Sequence, residues 1–134
     1  MDLKKLEKIV VDALEDIKGR DIDIINTSKI SNLFDRVVVA SGDSNRQVRA
    51  LAHNVEIKVR EAGGEVISVE GEENGEWVLV DLGDIIVHVM QPSTRSYYAL
   101  EELWTSTAAS RKRIESKGGP GAKLVKASES PDDK

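Results

Sequence analysis

The sequence predicts an α/β fold: a single domain with a five-stranded mixed sheet and flanking helices, in the order α-β-β-α-β-β-β-α. Three observations predict it. Two segments repeat apolar residues at helical spacing, and short runs rich in Val and Ile lie between and beyond them. One of those runs, RVVVA at 36–40, is β-branched without alternation, as expected of a strand buried on both faces in the middle of a mixed sheet. Three further strand-like segments then follow one another through glycine-containing turns. A chain of 134 residues encloses one core and is too short for two independent ones.

Leu3, Leu6, Val10, Ala13, Leu14 and Ile17 share one helical face, which places a helix over 3–18 with Gly19 as its left-handed terminator. DIDII at 21–25 alternates as a strand, and a polar stretch leads from it to RVVVA. Ser44 precedes Gln47 by three residues, the spacing of a capping box, and predicts a helix over about 45–62. Its buried face is Val48, Leu51, Ala52, Val55, Val59 and Ala62, and Gly63 with Gly64 end it. EVISVEG (65–71) and EWVLVDL (76–82) flank Asn74-Gly75, a pair suited to a hairpin. A second tight turn at Gly83-Asp84 leads into DIIVHVMQ, which Pro92 ends because it cannot donate to a ladder. Ser93 or Thr94 caps a last helix, TRSYYALEELW, at 94–104. The Ser-, Lys- and Gly-rich remainder reads as a flexible tail, so the expected organisation is a body at 1–104 and a flexible basic tail at 105–134.

Composition narrows the function classes. The chain has no cysteine, which excludes disulfide scaffolds, thiolate metal sites and cysteine nucleophiles, and its two histidines supply at most part of a metal site. No run approaches the roughly 20 apolar residues that span a bilayer, and no apolar leader precedes the first helix, so a cytosolic protein is expected. The net charge of −5 conceals an asymmetry: residues 1–104 carry 12 basic and 20 acidic groups, whereas residues 105–134 carry 7 and 4. Nucleic acid backbones repel such a body, and the partner it suits is a basic protein.

Three blocks then carry a family resemblance: DRVVVASGDSNRQVRALA at 35–52, GEWVLVDLGDIIVHVMQP at 75–92 and TRSYYALEELW at 94–104. In this order and spacing the chain resembles the ribosomal silencing factor (RsfS, or Iojap) family over roughly residues 1–104. The resemblance implies a nucleotidyltransferase-like sheet without catalysis or cofactor. It also implies docking on a large-subunit ribosomal protein, protein fourteen, at the intersubunit face. Occupying that face blocks the small subunit and lowers translation when nutrients are scarce.

Individual residues are weighed against that implication. SGDSNRQ is a strand-to-helix turn that could present amides to a phosphate, but it also reads simply as a capped helix. A nucleotidyltransferase needs paired carboxylates on a following strand to hold magnesium, and none stands in the expected place. His88, mid-strand with Ile86 and Met90 on its face, reads as a hydrogen-bonded structural histidine rather than a base. Trp77 alternates with Leu79 and Asp81 against Val78, Val80 and Leu82. Either Trp77 and Leu79 form an exposed apolar anchor, or Trp77 is core and the valines meet a second layer; the resemblance favours the anchor. Tyr97, Leu100 and Trp104 fall on the sheet side of the last helix, leaving Arg95 and Tyr98 on its flank. Arg111, Lys112 and Arg113, with Lys117, Lys123 and Lys126, could touch ribosomal RNA by charge or serve only as a solvated tail.

The expected partner-binding residues are therefore Trp77, Leu79, Leu82, Asp84, Met90, Arg95 and Tyr98, with Asp81 and Asp84 meeting basic groups. Two other functions are carried beside this one. One is a divergent nucleotidyltransferase using Ser41, Gly42, Asp81 and Asp84; the other is an adaptor whose strand surface forms a homodimer.

Overall fold

The structure is a computed structural model and describes residues 1–98. Its elements run α1 (Leu3–Asp16), β1 (Arg20–Asn26), β2 (Arg36–Ser41), α2 (Asn45–Glu61), β3 (Ser68–Glu70), β4 (Trp77–Asp81), β5 (Ile85–Met90) and α3 (Pro92–Tyr98). This is the predicted order. The predicted tail at 105–134 and the predicted helix beyond Tyr98 lie outside the described residues.

The strands form one sheet in the order β1-β2-β5-β4-β3. Only β2 and β5 pair in parallel; the other three pairs are antiparallel. A parallel pair needs a long crossover, and here it consists of α2, β3 and β4. The starts of β2, β3 and β5 and the ends of β1 and β4 consequently lie together at one end of the sheet.

Helices α1 and α2 cover one face. Leu6, Val10, Ala13 and Leu14 of α1 and Val48, Leu51, Ala52, Val55 and Val59 of α2 pack on Val38, Ala40, Val78, Val80, Val87 and Val89. Burying each Val or Leu side chain contributes about 1.5–3 kcal/mol. Ala62, expected on the buried face of α2, is instead its exposed C-cap. The helices are also joined by polar contacts: Asn54 Nδ2 donates to the Ala13 carbonyl at 2.7 Å, and Gln47 Nε2 to the Ile17 carbonyl at 3.2 Å.

Local signals decide the helix ends. Asp2 caps α1 by accepting from Lys5 N at 2.8 Å, and Ser44 caps α2 by accepting from Gln47 N at 3.0 Å. The predicted box closes one residue early, because Gln47 Oε1 accepts from Asp43 N. At the end of α1 the left-handed residue is Lys18 (φ 61°), not the expected Gly19. Lys18 N donates to the Glu15 carbonyl at 2.9 Å and Gly19 N to the Leu14 carbonyl at 2.8 Å, a Schellman pair that starts one residue sooner. Position 19 needs glycine for closeness instead: a Cβ there would stand 3.0 Å from the Leu14 carbonyl oxygen and 3.1 Å from Leu51 Cδ2.

Candidate partner-binding surface

The opposite sheet face is also buried, which corrects the expectation that Trp77 and Leu79 form an exposed apolar surface. Trp77 is 5% exposed and Leu79 6%. They pack with Val37, Val39, Ile86 and Met90 in a second core cluster. The physical reason is the loop between β1 and β2, whose Phe34 and Ile30 lie on this face. That loop winds around the buried Thr27: its amide donates to the Asp35 carbonyl at 2.9 Å, and its hydroxyl to the Phe34 carbonyl at 3.2 Å. The two alternating sets of β4 are both core, one on each face, so the reading in which Trp77 is core and the valines meet a second layer holds. Leu82 is buried with the helix-side cluster, on the other face from Trp77. Met90 is fully buried and pairs in register with Trp77.

Within this second core Trp77 and His88 are joined by a polar link. Trp77 Nε1 donates to His88 Nδ1 at 2.8 Å, with ring centroids 5.7 Å apart. Because Nδ1 accepts, the ring is neutral with its proton on Nε2. Complete burial pushes the His88 pKa down to about 3, since no solvent is available to stabilise an imidazolium there. Nε2 has no hydrogen-bond partner among the described residues. His88 is thus a structural histidine holding the tryptophan.

At the end of the sheet where β2 and β5 begin, the β4–β5 hairpin closes tightly. Leu82 N donates to the Ile85 carbonyl at 2.9 Å, and Gly83 takes φ +88°. Asp81 Oδ1 accepts from Gly83 N at 2.8 Å, so this carboxylate shapes its own turn. The Asp84 carbonyl accepts from Asp35 N at 2.8 Å and Arg36 N at 3.1 Å, while its side chain faces solvent. Asp84 is the expected contact residue that solvent reaches freely.

At the opposite end, Arg95 of α3 donates through Nη1 to the Asp21 carbonyl at 2.6 Å and to Ser41 Oγ at 3.0 Å. Asp21 has φ 51° and lies where the β1–β2 register shifts, so Arg95 ties α3 to a bulge. Gln91 bonds Asn45 at the start of α2. Tyr98 ends α3 as described. Arg95 was expected as a contact on the helix flank; its intramolecular bonds were not legible, because the bulge that supplies the Asp21 carbonyl leaves no sequence signature.

The residues of the nucleotidyltransferase reading are not brought together. Ser41 ends β2 and Gly42 follows it, whereas Asp84 sits beside its first residue, about 16 Å away along the strand. Gly42 faces Val48 and Leu51, where a Cβ would meet side-chain carbons at 3.0 and 3.1 Å.

The model of the family "Ribosomal silencing factor during starvation" matches residues 1–134. The chain belongs to the ribosomal silencing factor family. Ribosomal silencing factor RsfS of Chromobacterium violaceum is 55% identical over 104 residues, which cover 78% of this chain and 85% of that one. A crystal structure of a protein from the same organism superposes with a TM-score of 0.77 at 53% identity, covering 80% of this chain and 89% of the other. A mouse relative named mitochondrial assembly of ribosomal large subunit protein 1 is 32% identical over 102 residues, covering 72% of this chain and 44% of that protein. Among the described residues of this silencing factor, no helix is long and apolar enough to cross a membrane.

Proposed function

We propose that this ribosomal silencing factor represses translation in the cytoplasm by docking on large-subunit ribosomal protein fourteen and blocking the small subunit, without catalysis or cofactor. The observation that carries this reading is family membership, with 55% identity to a named silencing factor over 104 residues. Charge supports it: residues 1–104 hold an excess of eight acidic groups, which suits a basic protein embedded in RNA better than the RNA itself. Among the expected contact residues, Asp84 meets the partner directly. Arg95 supports the contact indirectly by tying α3 to β1 and β2, and Tyr98 is kept as a candidate contact. Trp77, Leu79, Leu82 and Met90 act from beneath by fixing the sheet. The basic segment 105–134 adds nonspecific attraction to RNA.

Co-sedimentation with separated ribosomal subunits tests the reading. The protein is expected to travel with large subunits and not with small ones. Travel with neither, or equal travel with both, overturns it.

A further inference from the structure

A docking surface must offer groups that solvent reaches, and the buried Trp77, Leu79 and Met90 do not. The most exposed large apolar side chains among the described residues are Leu33 at 63% and Ile67 at 58%. They come from loops far apart in sequence, yet both flank the same turn. Ile67 N donates to the Asp81 carbonyl at 2.8 Å, and a Cβ on Gly83 would stand 3.2 Å from Ile67 Cδ1. Leu33 lies two residues before Asp35, whose amide donates to the Asp84 carbonyl at 2.8 Å. Three strand spacings separate the start of β2 from the start of β3, which puts the two strand starts on the order of 14 Å apart. Asp84 lies between them.

Acidic groups outnumber basic ones at this end. Asp84 and Glu65 are exposed, and Asp35 and Asp81 are half-buried. The nearest basic residues in sequence are Lys29 and Arg36, and Arg36 is engaged with Glu7 at 3.3 Å. Met1, Ile24 and Ile57 are also exposed, but none lies in this turn cluster. Two unburied aliphatic groups around acidic carboxylates match the composition of a contact patch: apolar area for burial and negative charge that selects a basic protein over nucleic acid.

We infer that Leu33 and Ile67, on either side of the Asp81–Asp84 turn, form the contact surface for a basic protein of the large subunit. This inference rests on the function proposed above and names the surface that performs it. Its geometry also gives the surface a direction: the contact is made by the end of the sheet, with the Trp77 face behind it.

The chain has no cysteine, so Leu33→Cys and Ile67→Cys can each carry a single photo-cross-linker. With isolated large subunits, both labels are expected to attach to a basic ribosomal protein. The variant combining Leu33→Lys and Ile67→Lys is expected to bind large subunits at least about tenfold more weakly than wild type, through lost burial and like-charge repulsion. Ile57→Lys, on the exposed face of α2, is expected to bind as wild type does. Cross-links to ribosomal RNA, to a second copy of the chain or to nothing overturn the inference. So does a folded double-lysine variant that binds within twofold of a wild type that itself binds. In those cases the proposed function stands. A wild type that fails to bind large subunits removes both. If the lysine variant does not fold, the cross-linking result decides alone.

Discussion

Replacing Trp77 by Phe removes the indole N–H that bonds His88 while keeping most of the aromatic volume. Because Trp77 and His88 are buried, the 2.8 Å bond between them is shielded from water, and the variant leaves His88 Nδ1 as an unpaired buried acceptor. An unsatisfied buried polar group costs about 1–3 kcal/mol. The smaller ring adds a partial cavity, so a total of roughly 2–4 kcal/mol is expected, against about 3–5 kcal/mol for cavity formation alone in Trp77→Ala. At about 4–8 °C per kcal/mol for a domain of this size, the Phe variant should melt roughly 8–32 °C below wild type. Urea and thermal unfolding followed by circular dichroism measure this. Below its melting temperature, the folded variant should bind large subunits as wild type does, because the ring it loses is not at the surface. A Trp77→Phe variant as stable as wild type refutes the assignment of Trp77 and His88 as a structural pair. A variant that keeps its stability and loses binding shows instead that Trp77 is the partner's anchor.

Further consequences follow from the same contacts. Burial depresses the His88 pKa from 6.5 to about 3, so the unfolded chain binds a proton that the folded chain refuses. Its contribution is fully present above pH 6.5 and is lost as pH falls toward 3, at about 1.4 kcal/mol per pH unit, a slope that urea titrations at stepped pH should show and His88→Phe should lack. Gly71→Ala and Gly63→Ala both force alanine to φ near +89° and +88°, but only at Gly71 would the new Cβ stand 2.1 Å from a backbone oxygen, that of Trp77. The first is expected to destabilise by more than about 3 kcal/mol and the second by about 1–2 kcal/mol, compared by equilibrium unfolding. Ser44→Ala removes the α2 cap and should cost about 1 kcal/mol in the same assay.

The order of elements was legible because each is announced locally: Ser44, Gly63 and Pro92 mark helix and strand ends, and apolar spacing marks faces. The doubly buried β2 was legible from the unbroken Val37-Val38-Val39, whose side chains divide between the two clusters. The fate of Trp77 was not. Alternation tells which residues share a face of β4 but not what covers that face, and the cover includes Phe34 and Ile30 of a polar-looking loop from another part of the chain. The same reason hid the exposed pair. Leu33 and Ile67 are ordinary apolar residues in sequence, and only the strand order β2-β5-β4-β3 brings them to one end of the sheet. His88 was legible as structural, though its partner Trp77 was found only through the β4–β5 register.

The central claim, that this silencing factor blocks subunit association by steric occupancy, is tested most directly by subunit joining. Purified large subunits incubated with increasing amounts of the protein are mixed with small subunits, and light scattering records joined ribosomes. The account predicts dose-dependent loss of joining that saturates as large subunits fill, and no effect when small subunits alone are preincubated and the protein is then removed. Undiminished joining at saturating occupancy of the large subunit would contradict it.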